Sequence, residues 1–318
     1  MANIVVTYGV PPEGFSMLKE HIVHIPPLMT SYPRETLLRL MQDADAVVAC
    51  KGLDQELIEA APKLRLIVCY GAGYDAIDMQ TATERGVWVA NTPDCVTAPT
   101  AELAVSLLLA LARRLPSMDR QMRGEPLESL FVLGKDMGVS LESATLGIVG
   151  MGRIGGRVAD FGRVMGMRVL YTARSPKPER EALGERFVPL AELMAQSDFI
   201  SLHCPHTNQT HGLISREMLA LMKPTAYLIN TSRGPVVDED ALLDALRERR
   251  IAGAGLDVFC GEPHINPAFL TLDNALLTPH VGSNTLQARR RMAEEASKRI
   301  LDVLAGRAPQ NLLNPQAR

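Results

Sequence analysis

The 318-residue sequence has no cysteine pair at CxxC spacing, no apolar run long enough for a bilayer, no excess of one charge sign and no internal repeat or low-complexity tract. Each absence excludes something. Five scattered cysteines, Cys50, Cys69, Cys95, Cys204 and Cys260, give no disulfide framework; four lie in or beside apolar runs and read as reduced, mostly buried thiols. A formal charge of -3 offers no basic field, so nucleic acid is not an expected partner. The most apolar segment, Leu103 to Leu111, is bounded by Glu102 and Arg113-Arg114 and is shorter than the roughly 20 residues of a membrane span. It reads as a buried helix, without a membrane. The N-terminus, Met1-Ala2-Asn3-Ile4-Val5-Val6, enters a strand pattern directly, with no basic stretch or cleavable apolar segment, so a cytoplasmic address is expected. No metal site is expected.

What is present is a large α/β pattern. At 47% hydrophobic residues the chain can bury a large core, and its length exceeds one ordinary α/β layer, so two domains are expected. Short β-branched runs (Ile4-Val5-Val6, Ala46-Val47-Val48, Leu66-Ile67-Val68, Val87-Trp88-Val89) alternate with helical stretches such as Arg34 to Met41 and Asp54 to Ala60, which predicts a parallel sheet. A second series runs from Leu146-Gly147-Ile148-Val149 through Val169-Leu170-Tyr171, Phe199 to Leu202, Tyr227 to Ile229 and Gly255 to Val258 to Leu276-Leu277, a second wound sheet. Between them lies a helix candidate, Thr100 to Leu115, with Pro99 before it and Pro116 after it; another, Asn284 to Leu304, follows the second sheet. The chain is therefore expected to cross twice, with a first domain of residues 1–98 plus 286–318 and a second of 99–285. The segment Arg123 to Ser140 predicts no element.

Gly150-Met151-Gly152-Arg153-Ile154-Gly155 follows a strand and opens a helix, the context that makes GxGxxG a dinucleotide fingerprint. Gly150 permits the tight turn, Gly152 lets the backbone approach a pyrophosphate, Gly155 allows close packing, and the helix N-terminus favours the anion. About 20 residues on, an NAD-binding strand usually ends in a carboxylate for the ribose 2′-hydroxyl. Here the strand ends Tyr171-Thr172-Ala173-Arg174-Ser175. Arg174 with Ser175 suits a 2′-phosphate, so NADP is expected in preference to NAD, the alternative for Arg174 being a solvated surface residue.

Three polar residues follow strands of the second series: Arg233 after Leu228 to Ser232, Glu262 after Leu256 to Phe259, and His280 after Leu277-Thr278-Pro279. All three should stand at the carboxyl edge of the sheet, where open α/β sheets bind ligands and where the Gly150 loop also lies.

With Asn230-Thr231-Ser232-Arg233-Gly234, Gly255 to Phe259 running to Glu262-Pro263, Pro279-His280-Val281-Gly282-Ser283 and the glycine loop, the sequence resembles the D-isomer-specific 2-hydroxyacid dehydrogenase family over nearly its whole length. Ala90 to Asp94 and Tyr171 to Arg174 are similar to the NADP-using glyoxylate/hydroxypyruvate reductase branch. The resemblance implies a Rossmann cofactor domain inserted into a flavodoxin-like substrate domain, a homodimer, and hydride transfer between NAD(P)H and C2 of a small 2-keto or 2-hydroxy acid. It implies His280 as general acid/base, Glu262 as its orienting partner and Arg233 as the group that binds the substrate carboxylate. The chemistry agrees: ketone reduction needs a proton at oxygen, imidazole can deliver one near neutral pH, and a guanidinium offers a carboxylate a planar fork.

The resemblance also implies that Gly71-Ala72-Gly73 presents backbone N–H groups to the substrate carboxylate, with a plain strand-ending turn as the alternative. Lys51 is a substrate-binding candidate or a surface lysine. Asp257 is implied to hold the nicotinamide carboxamide, and Thr97, Cys204-Pro205, Thr231 and Gly282 to line the cofactor; Thr97 and Cys204 read equally as buried structure. Other readings stay open: a reductase of a bulkier 2-keto acid such as hydroxyphenylpyruvate, a phosphoglycerate dehydrogenase (often longer at the C-terminus), or a dinucleotide-sensing corepressor. A formate-dehydrogenase-like reading would need Gln where Glu262 stands.

Overall fold

The β-branched runs of the first part of the chain form a parallel sheet of five strands in a computed structural model, which describes residues 1–124, 134 and 137–317. These are β1 (Asn3–Val6), β2 (Ile22–His24), β3 (Ala46–Ala49), β4 (Leu66–Cys69) and β5 (Trp88–Asn91), in the order β2-β1-β3-β4-β5. That is the flavodoxin-like order. Strands covered on both faces need apolar residues at every position, and β3 and β4 are buried throughout. Alternate residues serve opposite faces: Val5, Val47 and Ile67 pack with Leu57 and Ile58, while Ile4, Val48 and Val68 pack with Met292, Ala296 and Ile300. The latter three belong to helix Leu286–Leu304, whose first turn is capped by Thr285. Its residues therefore close the unit formed by Met1–Pro99 with Ser283–Arg318.

The second unit, Thr100–Gly282, contains β6 (Thr145–Val149), β7 (Arg168–Thr172), β8 (Arg186–Phe187), β9 (Phe199–Leu202), β10 (Tyr227–Asn230), β11 (Gly253–Leu256) and β12 (Ala275–Leu277). All pair in parallel, in the order β12-β11-β10-β9-β6-β7-β8. From β6 the chain winds one way through β7 and β8, then returns to β9 on the other side. This Rossmann winding places a switch point between β6 and β9, where a crevice opens at the carboxyl ends of the strands.

Helix Pro93–Ala112 starts earlier than the sequence predicts and carries Pro99 inside it. A proline near the start of a helix removes one hydrogen bond, and the buried faces of Cys95, Val96, Ala101 and Ala104 outweigh that loss. By length and composition alone the helix could cross a membrane. In the structure, Ala101, Ala104, Leu107, Leu108 and Ala112 are buried in the core of the second unit. Of the segment Arg123 to Ser140, residues 125–133 and 135–136 lie outside the described residues.

Candidate active site

At the switch point, the turn after β6 needs glycine for reasons visible in the structure. Gly150 has φ +99°, and a Cβ there would lie 2.6 Å from the Cys204 backbone nitrogen, at the end of β9. A Cβ on Gly155 would lie 2.1 Å from the Gly150 carbonyl oxygen, so only glycine lets the helix Arg153–Val164 pack this close. Gly152 differs: it is the exposed N-cap of that helix, no side chain caps the N-terminus, and a Cβ would meet no protein atom within 4 Å. The open space above uncapped N–H groups fits an approaching pyrophosphate. Ile154 packs on the core and Arg153 is exposed.

A second observation supports the same fit. Among the described residues, three buried side-chain polar atoms have no hydrogen-bond partner, and two of them, Thr231 Oγ1 and His203 Nδ1, stand just past the carboxyl ends of the neighbouring strands β10 and β9. Buried polar atoms are normally satisfied, so a polar ligand along this edge would complete them. The His203 ring bonds through Nε2 to Ser201 Oγ at 2.8 Å, and burial pushes its pKa down to about 3. Cys204 is buried, its thiol pushed up by burial to about 11, while Pro205 is exposed. Beyond β7, Arg174 and Ser175 are exposed, and Arg174 has no ion-pair partner among the described residues.

Arg233, Glu262 and His280 follow β10, β11 and β12, three adjacent strands, at the same edge. Nδ1 of His280 lies 2.6 Å from Oε2 of Glu262. The other carboxylate oxygen, Oε1, accepts the Phe259 N–H at 2.8 Å. Burial opposes ionisation of Glu262, but the bonds from His280 and Phe259 and the charges of His280 and Arg233 outweigh it, holding the carboxyl below its ordinary value. With Nδ1 committed to the carboxylate, Nε2 of the half-exposed His280 is left for proton exchange. The Arg233 guanidinium donates to the Ser232 carbonyl at 2.7 Å.

Each of these loops is pinned by a polar residue that the sequence did not reveal in this role. Asn230, the last residue of β10 and 1% exposed, donates through Nδ2 to the Arg233 carbonyl, while its Oδ1 accepts from Ser232 N–H and Oγ–H. Asp257 follows β11 and is also 1% exposed. Its Oδ1 accepts Thr278 Oγ–H at 2.6 Å and Val281 N–H at 2.8 Å, and its Oδ2 accepts Gly282 N–H at 2.8 Å. Sequence reasoning gave Asp257 and Gly282 to the cofactor; the structure engages both in holding the His280 loop.

The first unit holds the remaining candidates. Gly71 adopts φ +143°, and its N–H is taken by Thr92 Oγ1 at 3.0 Å and the Cys69 carbonyl at 2.9 Å. The Asn91 amide and Thr92 N–H take the carbonyls of Ala72 and Gly71. This pins the turn and leaves the N–H groups of Ala72 and Gly73, but not that of Gly71, without protein acceptors among the described residues. Lys51 is exposed, its ammonium 4.8 Å from the centre of the Tyr8 ring. Thr97 donates its hydroxyl to the Pro93 carbonyl of its own helix.

Residues 105–282 match the D-isomer specific 2-hydroxyacid dehydrogenase, NAD binding domain, family. The chain is 44% identical to a glyoxylate reductase of Thermococcus onnurineus, across 98% of this chain and 96% of the other. It superposes on the crystal structure of a Thermus thermophilus protein with a TM-score of 0.90 at 40% identity, covering 98% of this chain and 99% of that one. It also superposes on an NADPH-dependent glyoxylate/hydroxypyruvate reductase of Sinorhizobium meliloti, with a TM-score of 0.83 at 29% identity and 100% coverage of both chains. The chain belongs to the D-isomer specific 2-hydroxyacid dehydrogenase family and is an oxidoreductase dependent on a nicotinamide dinucleotide.

Proposed function

We propose that this protein reduces small 2-keto acids, glyoxylate and hydroxypyruvate foremost, to 2-hydroxy acids with NADPH, and that His280 supplies the proton to the C2 oxygen. The observation that carries the reading is the 2.6 Å bond between His280 and Glu262, made at the strand edge that also bears the Gly150 loop. The activity of the Thermococcus onnurineus and Sinorhizobium meliloti relatives supports the substrate class. Bound along this edge, the dinucleotide supplies the hydride.

The residues of the chain do the rest. Glu262, ionised at neutral pH, fixes the ring of His280 through Nδ1 so that Nε2 exchanges the proton. Arg233 binds the substrate carboxylate through its planar fork and draws electron density from the carbonyl. In the first unit, the unbonded N–H groups of Ala72 and Gly73 form an anion-binding turn, with Gly71 setting its shape, and Lys51 adds positive charge. Gly152, Arg153, Thr231, Cys204-Pro205 and Thr97 are the dinucleotide contacts in this reading. Arg174 and Ser175 hold the 2′-phosphate, supported by the absence of a carboxylate at the end of β7 and of an ion-pair partner for Arg174 among the described residues.

We take the protein to be a homodimer. Helix Leu115–Arg123 has no buried residue and leaves Leu115 and Met122 exposed, apolar surface of the kind that pairing covers. Five free thiols agree with a reducing, cytoplasmic site of action. Dinucleotide oxidation across glyoxylate, hydroxypyruvate and hydroxyphenylpyruvate, each with NADPH and NADH, tests the reading. The highest kcat/KM is expected for the first two with NADPH; a preference for hydroxyphenylpyruvate or for NADH would contradict it.

A further inference from the structure

The backbone of His280 is itself unusual. It has φ +54°, in the left-handed region that costs a side-chain-bearing residue energy unless its surroundings enforce it. Apart from a bond of the His280 N–H to the Thr278 carbonyl at 3.1 Å, the contacts that hold it come from one residue. Asp257 accepts the His280 N–H through its own carbonyl at 2.8 Å, and its carboxylate takes Thr278 Oγ–H, Val281 N–H and Gly282 N–H. Four bonds to one residue thus bracket His280 on both sides. A carboxylate that is 1% exposed needs such donors in place of water, so the bonds hold the loop and the buried charge together. Gly282 is close-packed against the same group: a Cβ there would lie 3.3 Å from Asp257 Oδ2 and from Thr100 Cγ2.

We infer that Asp257 is a positioning residue for proton transfer, acting through the 278–282 loop to set the left-handed backbone of His280 and so bring Nδ1 onto Glu262. The inference rests on the reading of His280 as proton donor. Its geometric part does not depend on that chemistry. Loss of the clamp lets the loop relax towards right-handed φ, swings the imidazole away from Glu262, and allows the ring its solution tautomer with the proton on Nε2.

The test uses the full-length chain with 15N-labelled histidine, so that imidazole nitrogen shifts, read through the carbon-bound ring protons, report the His280 tautomer. Asp257→Asn keeps the shape but sets an amide N–H₂ against backbone donors; Thr278→Val removes one bond and leaves Asp257 intact. Folded wild-type protein is expected to show Nδ1 protonated, and both variants a shift towards Nε2. The kcat for the best keto acid should fall by up to about 100-fold in Asp257→Asn, and by less in Thr278→Val, with NADPH affinity measured by fluorescence unchanged in both. Unchanged His280 nitrogen shifts in the folded variants would overturn the inference. So would a kcat loss matched by weakened NADPH binding with unchanged shifts, which would assign Asp257 to the nicotinamide carboxamide instead. Should Asp257→Asn not fold, Thr278→Val decides by the same readout. An active His280→Ala enzyme would end the catalytic reading while leaving the tautomer shift as a valid test of the clamp.

Discussion

Oε2 of Glu262 lies 2.6 Å from Nδ1 of His280, across two loops that leave neighbouring strands of one parallel sheet. Because Glu262 sits below its ordinary value in the folded protein, the stability it contributes is fully present above about pH 4.5 and is lost as pH falls through the lower folded-state value. With the side chains of His280 and Glu262 49% and 32% exposed, the contribution is at most about 1 kcal/mol. Glu262→Gln should therefore be slightly less stable than wild type at about pH 7, with the difference shrinking as the pH falls below about 4.5. Urea unfolding across this pH range checks this; a deficit that grows on acidification would contradict it.

Arg174 is predicted to discriminate between the two dinucleotides. If Arg174 holds the 2′-phosphate as proposed, Arg174→Ala removes a charge-assisted contact, so its kcat/KM with NADPH should fall roughly 10- to 100-fold, while that with NADH stays nearly level. Parallel steady-state measurements decide; equal losses with both would remove Arg174 from 2′-phosphate recognition.

Two glycines of the phosphate loop should respond differently to the same added methyl. Gly155→Ala drives a Cβ to 2.1 Å from the Gly150 carbonyl oxygen and should destabilise the protein by about 1–3 kcal/mol. Gly152→Ala meets no protein atom, so it should keep the wild-type melting temperature and lose dinucleotide affinity. Thermal unfolding with and without NADPH separates the two; normal NADPH affinity in Gly152→Ala would contradict the placement of the pyrophosphate.

None of the cysteines should be a ready nucleophile. Burial raises all five thiols, and even the half-buried Cys50 and Cys260 are pushed to about 12 and about 11. Iodoacetamide at about pH 7 should label the folded protein slowly and leave its activity intact, because the thiolate is the reactive form. Rapid alkylation with loss of activity would contradict this.

The central strands, and the placing of Arg233, Glu262 and His280 at one sheet edge, were legible because their signals are local. Unbroken apolar runs such as Leu66 to Cys69 mark strands buried on both faces, and Arg233, Glu262 and His280 each follow such a run. The edge strands β2 and β8 escaped, being three and two residues long, with Ile22 and Arg186 exposed and no apolar period to read. The roles of Asn230 and Asp257 were hidden for a different reason. For Asp257 the loop partners are more than twenty residues away, so only the folded register of β11 and β12 brings clamp and loop together; for Asn230 the partners are two and three residues on, but the residue pattern does not show its amide turned back onto its own loop. Likewise the sequence marks Gly71 as a turn glycine, but not that Thr92 takes its N–H.

The proposed proton transfer by His280 is the step on which the rest depends. In His280→Ala, folded and saturated with NADPH, kcat for the best keto acid is predicted to fall by about 100- to 10,000-fold, with NADPH affinity unchanged; reduction at the wild-type rate would contradict it.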